Sequence, residues 1–274
     1  MTALLHEPRP RTELEKRVLT AVPLALAVIT ILLWGSNTLV GLLVGAFGLI
    51  GVWEFQTMLA KQQITLQPHL FFGAGGLFAL GTIFGGHLGL TLTLAMAVVA
   101  WLFYYLLFAN LKTMGELMPV GLGLLGMLWI PWAMNYFTLL HHLPHGTKLI
   151  FFLLFVIWAS DTLAYFGGRW IGKTPLAPTI SPKKTIEGSL CGIVGAVVVG
   201  LVYSAALPEM GWGKAIGVAI VIAVLGQMGD LVESKLKRLC DVKDSGTIFP
   251  GHGGMLDRVD ALLTTAPIFY YLVC

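Results

Sequence analysis

Lys148 to Gly167 reads KLIFFLLFVIWASDTLAYFG, a stretch unbroken in apolar character from Leu149 to Ala159 and carrying a single acid, Asp161. Roughly 20 predominantly apolar residues are what an α-helix needs to cross a hydrocarbon core about 30 Å thick. The pattern recurs along the chain. Apolar runs fall at about 18–34, 38–59, 69–86, 88–108, 117–138, 148–167, 188–207, 213–233 and 256–273. The expected fold is therefore all-α, a polytopic integral membrane bundle of about nine transmembrane helices. Composition agrees, since 57% of the 274 residues are hydrophobic and 11% are charged, against about 25% charged in a soluble domain. A disordered chain, a collagen-like chain and a secreted disulfide scaffold are excluded. Cys191, Cys240 and Cys274 lie too far apart for metal-ligand spacing.

Seventeen Lys+Arg against fourteen Asp+Glu gives a formal +3, too weak to imply nucleic acid as a partner. Where the charges lie says more. With the N-terminus in the cytoplasm, fifteen of the seventeen basic residues face that side, among them Arg9, Arg11, Lys16, Arg17, Lys61 and Lys112, and only Lys148 and Lys214 do not. The positive-inside rule then sets the orientation of a multi-pass protein. The first run follows Arg9, Arg11, Lys16 and Arg17 like a signal peptide, but no small-x-small cleavage site follows, so it reads as an uncleaved helix. Segments 35–38, 86–88 and 139–147 are short and nearly chargeless, whereas 168–187 and 234–256 are long, polar and basic. The chain divides into 1–147, with about five spans, and 148–274, with the remaining spans and the polar cytoplasmic loops.

Gly167 to Thr174, GGRWIGKT, matches the P-loop pattern. A P-loop needs a strand before the glycine turn and a helix after it. Here a membrane-length run precedes, and Pro175, Pro178 and Pro182 follow, so a basic loop is expected instead. His141, His142 and His145 form a tip that reads as a solvated loop, since no carboxylate or cysteine accompanies them in sequence. Glu116 sits near a helix start, where a carboxylate complements the dipole. Glu54, inside the second run, is expected to hydrogen-bond within the bundle.

The richest stretch is GDLVESKLKRLCDVKDSGTIFPGHGGMLDRVD, Gly229 to Asp260. On a helix Asp230, Glu233, Ser234 and Lys237 share one face, and Asp257 and Asp260 share another at the start of the last run. Acids entering a span are costly and are a functional hypothesis by default. With Asp161 they put carboxylates at three helix ends on one membrane face, with the glycines of PGHGG, Gly253 and Gly254 among them, able to turn tightly near an anion. Carboxylates among many lysines and arginines suit Mg²⁺ and polyphosphate substrates.

These residues resemble the phosphatidate cytidylyltransferase family, also called CDP-diglyceride synthases. The family signature is similar to SKLKRLCDVKDSGTIFPGHGGMLDRVD, Ser234 to Asp260, and a second family-like stretch is SDTLAYFGGRWIGKTPLAPTISPKKTIEG, Ser160 to Gly188. Leu163 stands where a small residue is expected, which touches only local packing. The resemblance implies transfer of CMP from CTP to phosphatidic acid, giving CDP-diacylglycerol and pyrophosphate, at the cytoplasmic face of a bacterial-type inner membrane. It further implies Mg²⁺, with a second cation as an open alternative, and a homodimer. By residue it implies metal binding at Asp230 and Asp257. Lys184, Glu187, Lys237, Arg238, Lys243, Asp244, His252, Arg258 and Asp260 are the expected catalytic group, and Asp161, Lys183, Ser234, Gly253 and Gly254 are expected to bind substrate. Two rivals have distinct signatures. A secondary transporter would place its polar groups near the bilayer midplane in two related halves. A CDP-alcohol phosphotransferase would carry a D-x2-D-G-x2-A-R pattern, which is absent.

Overall fold

The computed structural model describes residues 13–109, 113–249 and 253–274. Helices dominate it: α1 (Glu13–Trp34), α2 (Asn37–Ala60), α3 (Pro68–Phe108), α4 (Met118–Met127), α5 (Tyr136–His142), α6 (Gly146–Ile171), α7 (Ile186–Ser204), α8 (Gly211–Leu239) and α9 (Leu256–Val273). A π-helical turn, Leu128–Trp132, joins α4 to α5 around Pro131. Pro131 has no N–H to donate, and its carbonyl accepts from Asn135 Nδ2 at 2.7 Å. Six helical stretches are long and apolar enough to cross a membrane, with α4 and α5 forming one of them, Gly115–His142. The chain is thus an all-α polytopic membrane protein.

The difference between six and the expected nine has physical sources. A straight helix of 41 residues would be about 60 Å long, twice the hydrocarbon core. Instead α3 breaks at Gly86, where φ is +57°. A Cβ built on Gly89 would lie 1.9 Å from the Gly81 carbonyl oxygen, although eight residues of straight helix would separate them by about 12 Å. The two arms therefore fold back on each other, and they correspond to the runs 69–86 and 88–108. The apolar part of α1, Val22–Trp34, is shorter than a span, and α9 carries Asp257, Arg258 and Asp260 in its first turns.

Two expectations need correction. Segment 168–187 is not simply a loop: α6 continues to Ile171, and β1 (Pro175–Ala177) pairs antiparallel with β2 (Ser181–Thr185), the one sheet among the described residues. The histidine tip does meet a carboxylate, since His145 Nε2 lies 3.3 Å from Glu209 across the chain. His141 and His142 turn elsewhere, to Asn37 and to the Thr138 carbonyl, so the three do not converge. Among the basic residues that set the orientation, Arg9, Arg11 and Lys112 lie outside the described residues.

Candidate active site

The hairpin is held to the bundle by α7. Thr185 accepts from Gly188 N at 3.1 Å and so caps the helix. Glu187 in its first turn accepts from Lys173 N at 3.0 Å, from Thr174 N at 3.1 Å and from Thr174 Oγ1 at 2.8 Å. The amides that a P-loop would offer to phosphate are thus occupied by a carboxylate of the chain itself, and the segment ends a helix rather than starting one. So fastened, β2 delivers Lys184 to α8, where its Nζ donates to Asp230 Oδ2. Ser234, one turn along α8, donates to Asp230 Oδ1 at 3.2 Å. Asp161 from α6 and Asp260 from α9 lie near enough to Asp230 for their charges to repel.

Asp230 does not close its helix as the apolar run suggests, because α8 continues to Leu239. The added turns carry Lys237, whose Nζ bridges Glu233 on its own helix and Asp257 on α9, the latter at 2.6 Å. Glu233 is buried, and its Oε1 has no hydrogen-bond partner among the described residues. The second oxygen of Asp257, Oδ2, accepts from Gly254 N at 2.8 Å and from Ser245 N at 2.9 Å. Gly253, at φ +81°, pairs its carbonyl with Phe249 N. The anion met by this glycine turn is therefore Asp257 itself.

A cavity of about 690 Å³ opens over Asp161, Lys183, Lys184 and Asp230. Arg169, Ser189 and Gln227 also line it and were not anticipated. Gln227 ties helices together beneath the acids: its Oε1 accepts from Ser189 Oγ, and its Nε2 donates to the Ser189 carbonyl at 3.2 Å. An amide inside the run 213–233 is a costly group in lipid and was the available signal.

Other expected residues stand apart from this cavity. Arg238, Lys243 and Asp244 are exposed, and Glu187 is engaged with the hairpin. Arg258 borders a separate apolar groove of about 300 Å³, walled by Leu24 and Val28 of α1, Trp158 of α6 and Leu262 of α9. His252 lies outside the described residues.

Asp161, Asp230, Glu233, Asp257 and Asp260 thus gather on three helices around Lys184 and Lys237. Hard oxygen donors with surplus negative charge, one oxygen of them unpartnered, fit a small divalent cation. No group of three closes into a metal site among the described residues, which is compatible with Mg²⁺, an ion usually held by one or two carboxylates together with waters and substrate phosphates.

The chain matches the cytidylyltransferase family over residues 15–274. It is similar to a phosphatidate cytidylyltransferase of Bacillus subtilis (strain 168), at 35% identity over 95% of this chain and 98% of the relative. Proteins of the same name from Brucella abortus biovar 1 (strain 9-941) and Haemophilus influenzae (strain ATCC 51907 / DSM 11121 / KW20 / Rd) are 34% and 30% identical. Each alignment covers 94% of this chain, with 93% and 98% of the respective relative.

Proposed function

This chain belongs to the cytidylyltransferase family, and from that premise we propose how its residues convert CTP and phosphatidic acid into CDP-diacylglycerol and pyrophosphate. It is a nucleotidyltransferase of phospholipid biosynthesis. The observation that carries the location of the chemistry is the cavity in which Lys184 meets Asp230. A phosphate oxygen of phosphatidate attacks the α-phosphorus of CTP, the bond from that phosphorus to the bridging oxygen breaks, and pyrophosphate leaves with the electron pair. The nucleophile is already an anion, so the residues have positioning and charge neutralisation to supply rather than a general base. Lys183, Lys184 and Arg169 neutralise the triphosphate, and Asp161 and Ser234 orient the groups around Asp230. Asp230 and Asp257 would hold Mg²⁺, each already paired with a lysine, Lys184 on Asp230 and Lys237 on Asp257 Oδ1. When bound, the ion would offset phosphate charge, and a second cation would do the same. Glu187 serves by keeping the hairpin closed. Lys237 keeps Asp257 in place, while the exposed Arg238, Lys243 and Asp244 border the cytosolic approach, and His252 is a proposed catalytic residue on the resemblance alone. Arg258, at the edge of the apolar groove, suits an anionic lipid whose acyl chain lies below it.

The reading extends to nine crossings, with the N-terminus and active site on the cytoplasmic side of a bacterial-type inner membrane, and to a homodimer. The contacts Asn37 to His141, His87 to Tyr271 and Lys148 to Ala206 each join two segments expected on the far side, and the fifteen-to-two basic asymmetry supports the orientation. The test is purified protein in phosphatidate vesicles with radiolabelled CTP and Mg²⁺. CDP-diacylglycerol and pyrophosphate should form in equal amounts; absence of both from inserted protein would overturn the assignment.

A further inference from the structure

Glu54 lies on α2, in the half of the chain that carries no signature motif, and its residue is 0% exposed. A carboxylate so placed is costly unless its oxygens are satisfied. Both are satisfied by the far end of the sequence. Oε1 accepts from Met255 N at 2.8 Å, and Oε2 accepts from Leu256 N at 2.9 Å. These amides belong to the entry of α9, whose N-cap residue Met255 makes no side-chain cap. An acid from another helix thus meets the unpaired N–H groups and positive end of the helix dipole.

The contact continues toward the acids. Ser245 Oγ is 2.9 Å from Glu54 Oε2 and 3.0 Å from Asp257 Oδ2, so one hydroxyl joins the two carboxylates. Space for the arrangement depends on two glycines. A Cβ at Gly246 or at Gly254 would come within 2.4 Å of a Glu54 oxygen. We propose that Glu54 is a positioning residue of the transfer reaction: from α2 it clamps the entry of α9 and, through Ser245, sets the orientation of Asp257. Because a helix moves as a unit, displacing its first turn displaces Asp257, Arg258 and Asp260 together.

The kinetic arm of the test rests on the proposed reaction; the structural arm does not. In the full-length reconstituted protein, Glu54→Gln keeps the shape but presents an NH₂ to one of the two backbone donors. The expected result is faster amide exchange in peptides covering 244–257, with peptides of α7 unchanged. Turnover should fall by roughly 10- to 100-fold, the scale of misplacing a reacting group by about 1 Å, while KM for CTP moves less than about threefold. Glu54→Asp should recover part of the loss. Ser245→Ala leaves both carboxylates in place and removes their link. It should also lower turnover, and the double variant Glu54→Gln/Ser245→Ala should be no worse than Glu54→Gln alone, as expected for residues acting in series. If Glu54→Gln does not fold, Ser245→Ala decides through the same exchange and turnover measurements. Unchanged exchange at 244–257, unchanged turnover per folded molecule, or additive losses in the double variant would each overturn the proposal. An inactive wild type would sink the reaction assignment, and the exchange result would still judge the clamp.

Discussion

Lys184 meets an acid 46 residues away and Lys237 one 20 residues away, and neither pairing is visible as a local pattern. Leaving one charge of a buried pair without its partner is costly, and the Lys237–Asp257 pair is the more buried of the two. Asp230→Asn and Asp257→Asn keep size and remove charge. Each variant should insert normally and lose roughly two or more orders of magnitude in turnover, the scale of deleting one preorganised electrostatic group. CDP-diacylglycerol formation across a Mg²⁺ titration measures it, and near wild-type turnover in both variants would exclude these acids as the metal ligands. Arg258 makes a different demand. Its guanidinium can hold two phosphate oxygens where an ammonium offers one point charge, so Arg258→Lys should raise the KM for phosphatidate by about tenfold, one lost charge-assisted bond. An unchanged KM in a lipid-dilution series would count against that role.

At the scale of elements, the hairpin is the part least legible in the sequence. Its strands are three and five residues long, too short for an alternating pattern, and Pro175, Pro178 and Pro182 read as a loop. What closes it is a carboxylate thirteen and fourteen residues on. Thr174→Ala removes one of several bonds to Glu187 and should change turnover by less than about threefold; an inserted but inactive variant would revive a phosphate loop. Glu187→Gln weakens the charge-assisted bonds to the Lys173 and Thr174 amides. Exchange at those amides should quicken, and the KM for CTP should rise several-fold, because Lys183 and Lys184 ride on β2. The apolar run 213–233 stops at the first charges, whereas α8 continues to Leu239 through the Glu233 and Lys237 pair at i, i+4.

For the whole molecule, the testable expectation is which face meets the cytoplasm. In a cysteine-free background, with Cys191, Cys240 and Cys274 replaced, His142→Cys should react with an impermeant thiol reagent from outside the inner membrane, and Lys235→Cys only after the membrane is opened. The reverse pattern would invert the topology. Sequence alone determined the all-helical membrane character, the run limits on both sides of Gly86, and the concentration of acids and bases in 160–188 and 229–260. Hydropathy and motif spacing are local properties, carried by residues within one span of each other. Only the tertiary structure decided that Lys184 pairs with Asp230, that Gln227 lines the cavity, and that Glu54 holds the entry of α9 from 201 residues away. Those contacts come from how the helices pack, and in a bundle whose spans are mostly apolar the sequence of each helix leaves open which neighbour it will face.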